Sequence, residues 1–242
     1  MNEIATRAST RVVRRMRVEP RSRFVMITGV GPGIGKSTLA EGLAGRAAEF
    51  SCEVDLFGEE QIFTRPAFAE IGRAFRDRDE EGSRIFPSGE MLLDGYRRVI
   101  GEAGQRVIVF DWTCLGMISD LPWAEGRPDV LLAHAREVRE VAHARQPVVV
   151  NLVADVEVAV ARATAQRGSR WLRRYAHLAA MEGARSRVQL AAVAERIRQL
   201  PFESLELEAF RAGGWPIWEI DASPSAPDVL DAVVARLWRA DA

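Results

Sequence analysis

Three groups of residues in this 242-residue chain have the types and spacing to do chemistry: the run Gly29-Val30-Gly31-Pro32-Gly33-Ile34-Gly35-Lys36-Ser37-Thr38, the pair Glu59 and Glu60, and Asp111 followed by Trp112. The first carries the clearest message. Glycines let a backbone wrap a phosphate with its N–H groups pointing inward, and a helix starting at the end of the run adds partial positive charge. Gly31, Gly33, Ile34, Gly35, Lys36, Ser37 and Thr38 then make up a nucleotide-binding set for ATP. Lys36 is expected to reach the β- and γ-phosphates, and the Ser37 hydroxyl to ligate Mg²⁺. Lys36 is also the only lysine; every other member of the 33 Lys and Arg residues is arginine. A genome biased towards GC-rich codons would account for that skew, yet the retained lysine falls where an ammonium is hardest to replace. One departure stands out, since the strict pattern wants glycine where this chain has Val30, flanked by Gly29 and Gly31. Asp111 either holds Mg²⁺, directly or through water, or caps a strand end.

Regular elements must present these groups, and hydrophobic periodicity locates them. Residues 23–28 (RFVMIT) form an apolar run before the glycines, and residues 37–50 carry Leu39, Leu43 and Ala47 at helical spacing. Strand, loop and helix in that order are the setting a P-loop requires. Further strands are expected at 52–57, 106–110, 147–153 and 216–220. Helices are expected at 66–76, 87–102, 129–145, 155–166 and 228–238, with Gly168 as a stop signal and an almost wholly helical, arginine-rich stretch at 169–210. Five apolar strands separated by helices imply a parallel sheet covered on both faces, because parallel neighbours need long crossovers. The expected fold is α/β, a three-layer P-loop NTPase fold with a five-stranded parallel sheet. Ligands of such sheets sit at the carboxyl ends of the strands, where all three groups fall.

Composition narrows the partners. With 33 basic and 34 acidic residues the net charge is −1, which gives no reason to expect a nucleic acid or a membrane surface. No apolar stretch approaches the ~18–20 residues needed to span a bilayer, so a soluble protein is expected. Cys52 and Cys114 have no CxxC spacing, which suggests neither zinc nor a disulfide framework and fits the reducing cytoplasm. Residues 1–22 form a basic arm ahead of one domain at 23–242. The arm lacks the apolar core of a secretory signal; it reads as a flexible or docked arm, with a transit peptide or a nucleic-acid tether as alternatives.

Three segments, GPGIGKST (31–38), VVVNLVADVEVAVARATAQRG (148–168) and WPIWEIDASPSAPDVLDAVVARL (215–237), give the chain a wider likeness. Across residues 23–240 it resembles the P-loop nucleoside and nucleotide kinases, specifically the thymidylate kinase and deoxynucleoside kinase group. The resemblance implies an arginine-rich helical lid at about 162–182, whose arginines fold over the phosphates and neutralise charge in the transition state. Arg162 and Arg167 fall where the family places them, with Arg170, Arg173 and Arg174 in reserve or on a solvated helix face. It also implies that Asp221 opens an Asp-Ala-Ser turn near the adenine. A glutamate just after the second strand accepts the proton of the attacking hydroxyl in deoxynucleoside kinases, and Glu59 or Glu60 holds that place here unless they cap the next segment. Dimers are frequent in these families, so a homodimer is admitted. After the third strand, however, thymidylate kinases carry Asp-Arg and deoxynucleoside kinases an acid followed by Arg-Ser. This chain reads Asp111-Trp112-Thr113-Cys114, without the arginine that usually anchors an acceptor phosphate.

The acceptor side, residues 53–94, holds eleven acids against five arginines. Such a field favours a neutral or cationic small-molecule acceptor, nucleoside-like or amino-sugar-like, unless most of the acids are solvated. Trp112 and Trp123 either stack on that acceptor or pack internally. The expected activity is ATP-dependent phosphotransfer to an acceptor hydroxyl. A nucleoside monophosphate kinase is the alternative, with Arg65, Arg73 or Arg97 supplying the missing cation. A nucleotide-dependent switch or regulatory ATPase is a third reading, although no Asn-Lys-x-Asp or Leu-Ser-Gly-Gly element supports a GTPase or a transporter ATPase.

Overall fold

The computed structural model describes residues 18–29, 31–58, 64–77, 86–116, 118–119, 121–178, 194–195 and 202–238, with the side chains of 169–178 and 202–204 outside that description. Its strands are β1 (Phe24–Gly29), β2 (Val54–Phe57), β3 (Val107–Phe110), β4 (Val148–Val153) and β5 (Ile217–Asp221). They form one sheet in the order β2-β3-β1-β4-β5, and every neighbouring pair is parallel. The three central strands are mostly apolar because both of their faces are covered, with Thr28 in β1 and Asn151 in β4 as buried polar exceptions; β1 and β3 are buried at every position.

The described helices are α1 (Lys36–Arg46), α2 (Ala69–Arg76), α3 (Gly89–Glu102), α4 (Pro128–Ala142), α5 (Val156–Leu178), α6 (Phe202–Ala212) and α7 (Ala226–Trp238). Alternation along β1 sorts them into two layers. Phe24 and Met26 pack into a core with α2, α3, α4 and α6, whereas Val25 and Ile27 pack with α1, α5 and α7. The protein is thus an α/β structure with a five-stranded parallel sheet and helices on both faces.

Element ends follow the sequence signals to within two or three residues, and the differences have local causes. Three expected helices contain 3-10 turns: 47–50 after α1, 66–68 before α2 and 143–145 after α4. Tighter winding there satisfies carbonyls or N–H groups that an α-helix leaves open at its ends. Helix α5 runs past its expected end to Leu178 but is broken at Gly168, where φ 78° and ψ 172° are not helical. Of the long helical stretch expected after it, residues 179–193 and 196–201 lie outside the described residues. Between Asp111 and α4 the chain makes successive turns, yet Cys114, Leu115, Ile118, Leu121 and Ala124 are buried there. Residues 18–23 are docked: the Arg21 N–H donates to the Leu237 carbonyl (2.9 Å) and Val18 packs on the α1/α7 core. The rest of the basic arm, 1–17, is outside the described residues. No described helix is long and apolar enough to cross a membrane.

Candidate functional site

The glycine run lies between β1 and α1, at the carboxyl end of the middle strand of the sheet. Two glycines explain its shape. A Cβ on Gly33, at φ +84°, would sit 2.2 Å from the Ala159 carbonyl oxygen and 2.7 Å from the Ala163 nitrogen, so α5 can press on the loop only where no side chain exists. Gly35, at φ +106°, turns the chain into the first residue of α1. The loop is thereby followed at once by the open N–H groups of a helix start, a favourable place for an anion. Val30 is outside the described residues.

Lys36 folds back across the loop, its ammonium donating to the carbonyls of Gly31 (3.2 Å) and Gly29 (3.5 Å). Ser37, exposed in the first turn of α1, donates its hydroxyl proton to Asp111 Oδ2 at 2.9 Å. This contact joins residues 74 positions apart because β3 lies beside β1 and Asp111 directly follows it. The Asp111 N–H donates to the Phe57 carbonyl (3.1 Å), tying the turn to β2 as well. Asp111 Oδ1 is buried and has no hydrogen-bond partner among the described residues. A hydroxyl and a carboxylate side by side, with one carboxylate oxygen unsatisfied, suit a hard cation such as Mg²⁺. Among the described residues no group of three or more His, Cys, Asp or Glu could hold a metal alone.

Beside the loop is a cavity of about 310 Å³, lined by Gly33, Gly35, Thr38, Arg162, Ala222 and Val229 among others, with Ile34 buried at its wall. Arg162, on α5, closes one side. Its guanidinium donates to the carbonyls of Ala222 (2.9 Å) and Ser223 (3.1 Å), fastening α5 to the turn between β5 and α7. Asp221 holds the same turn from within: it accepts the Ser223 N–H at 2.8 Å, and the hydrogen bonds from Ser223 keep its carboxyl below the usual range. Asp221 is exposed and does not line the cavity. Arg167 is exposed, one residue before the break at Gly168. Glu59 and Glu60 lie outside the described residues, as do the side chains of Arg170, Arg173 and Arg174.

The acceptor-side residues are more occupied than a residue count suggests. Arg97 pairs with Glu90 (2.6 Å) and Asp94 (2.7 Å), Arg98 with Glu70 (3.6 Å) and Arg106 with Asp55 (3.1 Å), so the described acids are largely offset by arginines beyond position 94. Arg73 lies 3.9 Å from Glu70, and Arg65 covers the Phe57 ring while donating to the Leu56 carbonyl. Both tryptophans pack internally. Trp112 meets Phe110 edge-on at 5.0 Å, and the Trp123 indole N–H donates to the Pro87 carbonyl (3.0 Å).

Sequence reasoning overlooked Glu206, Thr113 and Thr28, which meet beneath the site. Glu206, on α6, is 3% exposed and accepts from the hydroxyls of Thr113 (2.7 Å) and Thr28 (3.4 Å). The signal was present: Glu206, Ala209, Phe210 and Gly213 follow i, i+3, i+4, i+7 spacing, which sets one acid on an otherwise apolar stripe. No protein-family model matches the chain, and no curated protein matches it.

Proposed function

We propose that this protein is a P-loop kinase that transfers the γ-phosphoryl group of ATP to a hydroxyl of a neutral or cationic small molecule. The observation that carries the reading is the Ser37–Asp111 contact. It sets a helix-start hydroxyl beside a strand-end carboxylate, next to a lysine-bearing glycine loop at the carboxyl edge of a parallel sheet. Chemistry needs those groups together: N–H groups and an ammonium for the phosphates, and two oxygens for the cation that accompanies them.

In this reading the loop and the α1 N-terminus bind the phosphates, and Lys36 exchanges its carbonyl partners for phosphate oxygens. Ser37 and Asp111 hold Mg²⁺, which when bound neutralises phosphate charge. The cavity beside the loop takes the base, with Arg162 along one wall. Glu59 or Glu60 accepts the proton of the acceptor hydroxyl, and Arg167 belongs to the lid. A neutral or cationic acceptor is supported by the missing arginine after Asp111 and by the pairing of Arg97 with Glu90 and Asp94. Assembly as a homodimer and a cytoplasmic location belong to the same reading.

The experiment is ADP release from Mg-ATP against nucleosides, nucleoside monophosphates and amino sugars, with mass spectrometry of the products. One phosphoryl group gained by a nucleoside or amino sugar is the expected result. Turnover confined to monophosphates would replace the acceptor assignment with a monophosphate kinase. Hydrolysis independent of any acceptor would replace the kinase with a nucleotide-driven switch.

A further inference from the structure

Glu206 is the only buried acid among the described residues. Removing a carboxylate from water costs several kcal/mol, and core packing alone is served as well by an apolar side chain. Its contacts point to a more specific task. The Thr113 hydroxyl gives its one proton to Glu206 Oε1 at 2.7 Å and accepts the Gly116 N–H at 2.9 Å, so its orientation is fixed from both sides. Glu206 Oε2 faces the hydroxyl of Thr28, the residue before Gly29. A third tie runs from the Cys114 N–H to Met26 Sδ (3.4 Å) on β1. The turn at 111–116 is therefore stitched to the carboxyl end of β1, with the carboxylate of α6 between them. Gly116 leaves room for this arrangement, since a Cβ there would lie 3.2 Å from Glu206 Oε1 and 3.4 Å from Thr113 Oγ1. Burial, together with the nearby Glu206 charge, pushes the Cys114 thiol well up, so Cys114 serves here as packing.

We infer that Glu206 is a positioning residue: acting through Thr113 and Thr28, it holds the Asp111 turn against the end of β1 and so sets the Ser37–Asp111 pair for its metal. The inference rests on the proposed nucleotide site. Asp111 lies two residues before Thr113, and Ser37 is carried by the loop that Thr28 precedes, so both halves of the pair hang from residues that Glu206 touches. A shift of the turn would separate two oxygens now 2.9 Å apart without disturbing the N–H groups that meet the phosphates.

The test compares affinity for a non-hydrolysable ATP analogue in excess Mg²⁺ and in EDTA, by isothermal titration of the full chain. The ratio of the two dissociation constants isolates the metal's contribution. Thr113→Val removes the hydroxyl proton at nearly constant shape, Glu206→Gln removes the charge, and Thr113→Ser keeps the hydroxyl. The expected result is that Thr113→Val and Glu206→Gln each cut the ratio about tenfold, as loss of an outer partner of a metal ligand does, while Thr113→Ser keeps the wild-type value. Circular dichroism establishes that each variant is folded, and if Glu206→Gln is not, Thr113→Val decides. Variants that lose thermal stability but keep the wild-type ratio would make Glu206 purely structural and overturn the inference alone. A wild-type protein that binds no nucleotide, or binds it with no help from Mg²⁺, would overturn the functional reading and this inference together.

Discussion

The two faces of the sheet are built on different principles. The face under α2, α3, α4 and α6 is aromatic: Phe110 alone meets Phe24, Phe57, Phe68, Tyr96 and Trp112 at ring-centre distances of 4.8 to 6.4 Å. It also buries Thr28, Thr113, His134 and Glu206. The face under α1, α5 and α7 is mainly aliphatic, with one aromatic stack, Phe50 on Trp238 at 5.1 Å, and it approaches the glycine loop by backbone contact, with Ala159 and Ala163 of α5 against Gly33. A network of rings thus dominates one face, and missing side chains shape the glycine loop beside the other. Substitutions should act through lost volume or orphaned polar groups on the first face, and through added volume on the second.

The largest expected effect tests the aromatic side. Phe24→Ala, at the end of β1 away from the glycine loop, should lower unfolding free energy by ~3–5 kcal/mol in urea denaturation, while the folded fraction keeps its nucleotide affinity. Equal loss of both would mean that the two faces are not separable. A second effect on the same side is acid sensitivity. Burial depresses the His134 pKa from 6.5 to about 4, and its Nε2 has no hydrogen-bond partner among the described residues. Above pH 6.5 the imidazole is neutral in both states. As pH falls from 6.5 to 4 the unfolded chain takes up a proton that the folded protein refuses, so stability should drop by about 3 kcal/mol and then level off. Denaturation midpoints across that interval, with His134→Leu flattening the slope, check the sign and the source.

On the aliphatic side the order of effects reverses. Gly33→Val forces a side chain into the α5 backbone at positive φ, and should weaken nucleotide binding about a hundredfold while costing ~2 kcal/mol of stability. Retained affinity in calorimetry would show that the loop does not need this close approach. The smallest effect belongs to Arg162→Ala, which removes two hydrogen bonds to the β5–α7 turn. It should weaken binding about fivefold, at ~1 kcal/mol, and move the thermal midpoint little.

Most of the fold was legible because its central strands are largely apolar on both faces and its helices keep their period. RFVMIT, RVIVF and VVVNLV can be little else, and Gly168 marks a real break in α5. The glycine run, Lys36, Ser37 and Asp111 were readable for a related reason: motif residues keep fixed offsets from the elements that carry them. Pairing was not readable. The acidic count over 53–94 could not register Arg97, Arg98 and Arg106, which offset part of it through helix geometry and strand adjacency. Glu206 escaped because its partners lie 93 and 178 residues away, and only the sheet order brings them together.

The ammonium folded over the glycine loop has a practical consequence. Since Lys36 is the only lysine, an amine-directed acylating reagent has a single side-chain target, and that target lies inside the candidate site. A single mass increment on one peptide would count occupied and vacant molecules directly. Ligands could therefore be ranked by how well they shield that one nitrogen, with no turnover required.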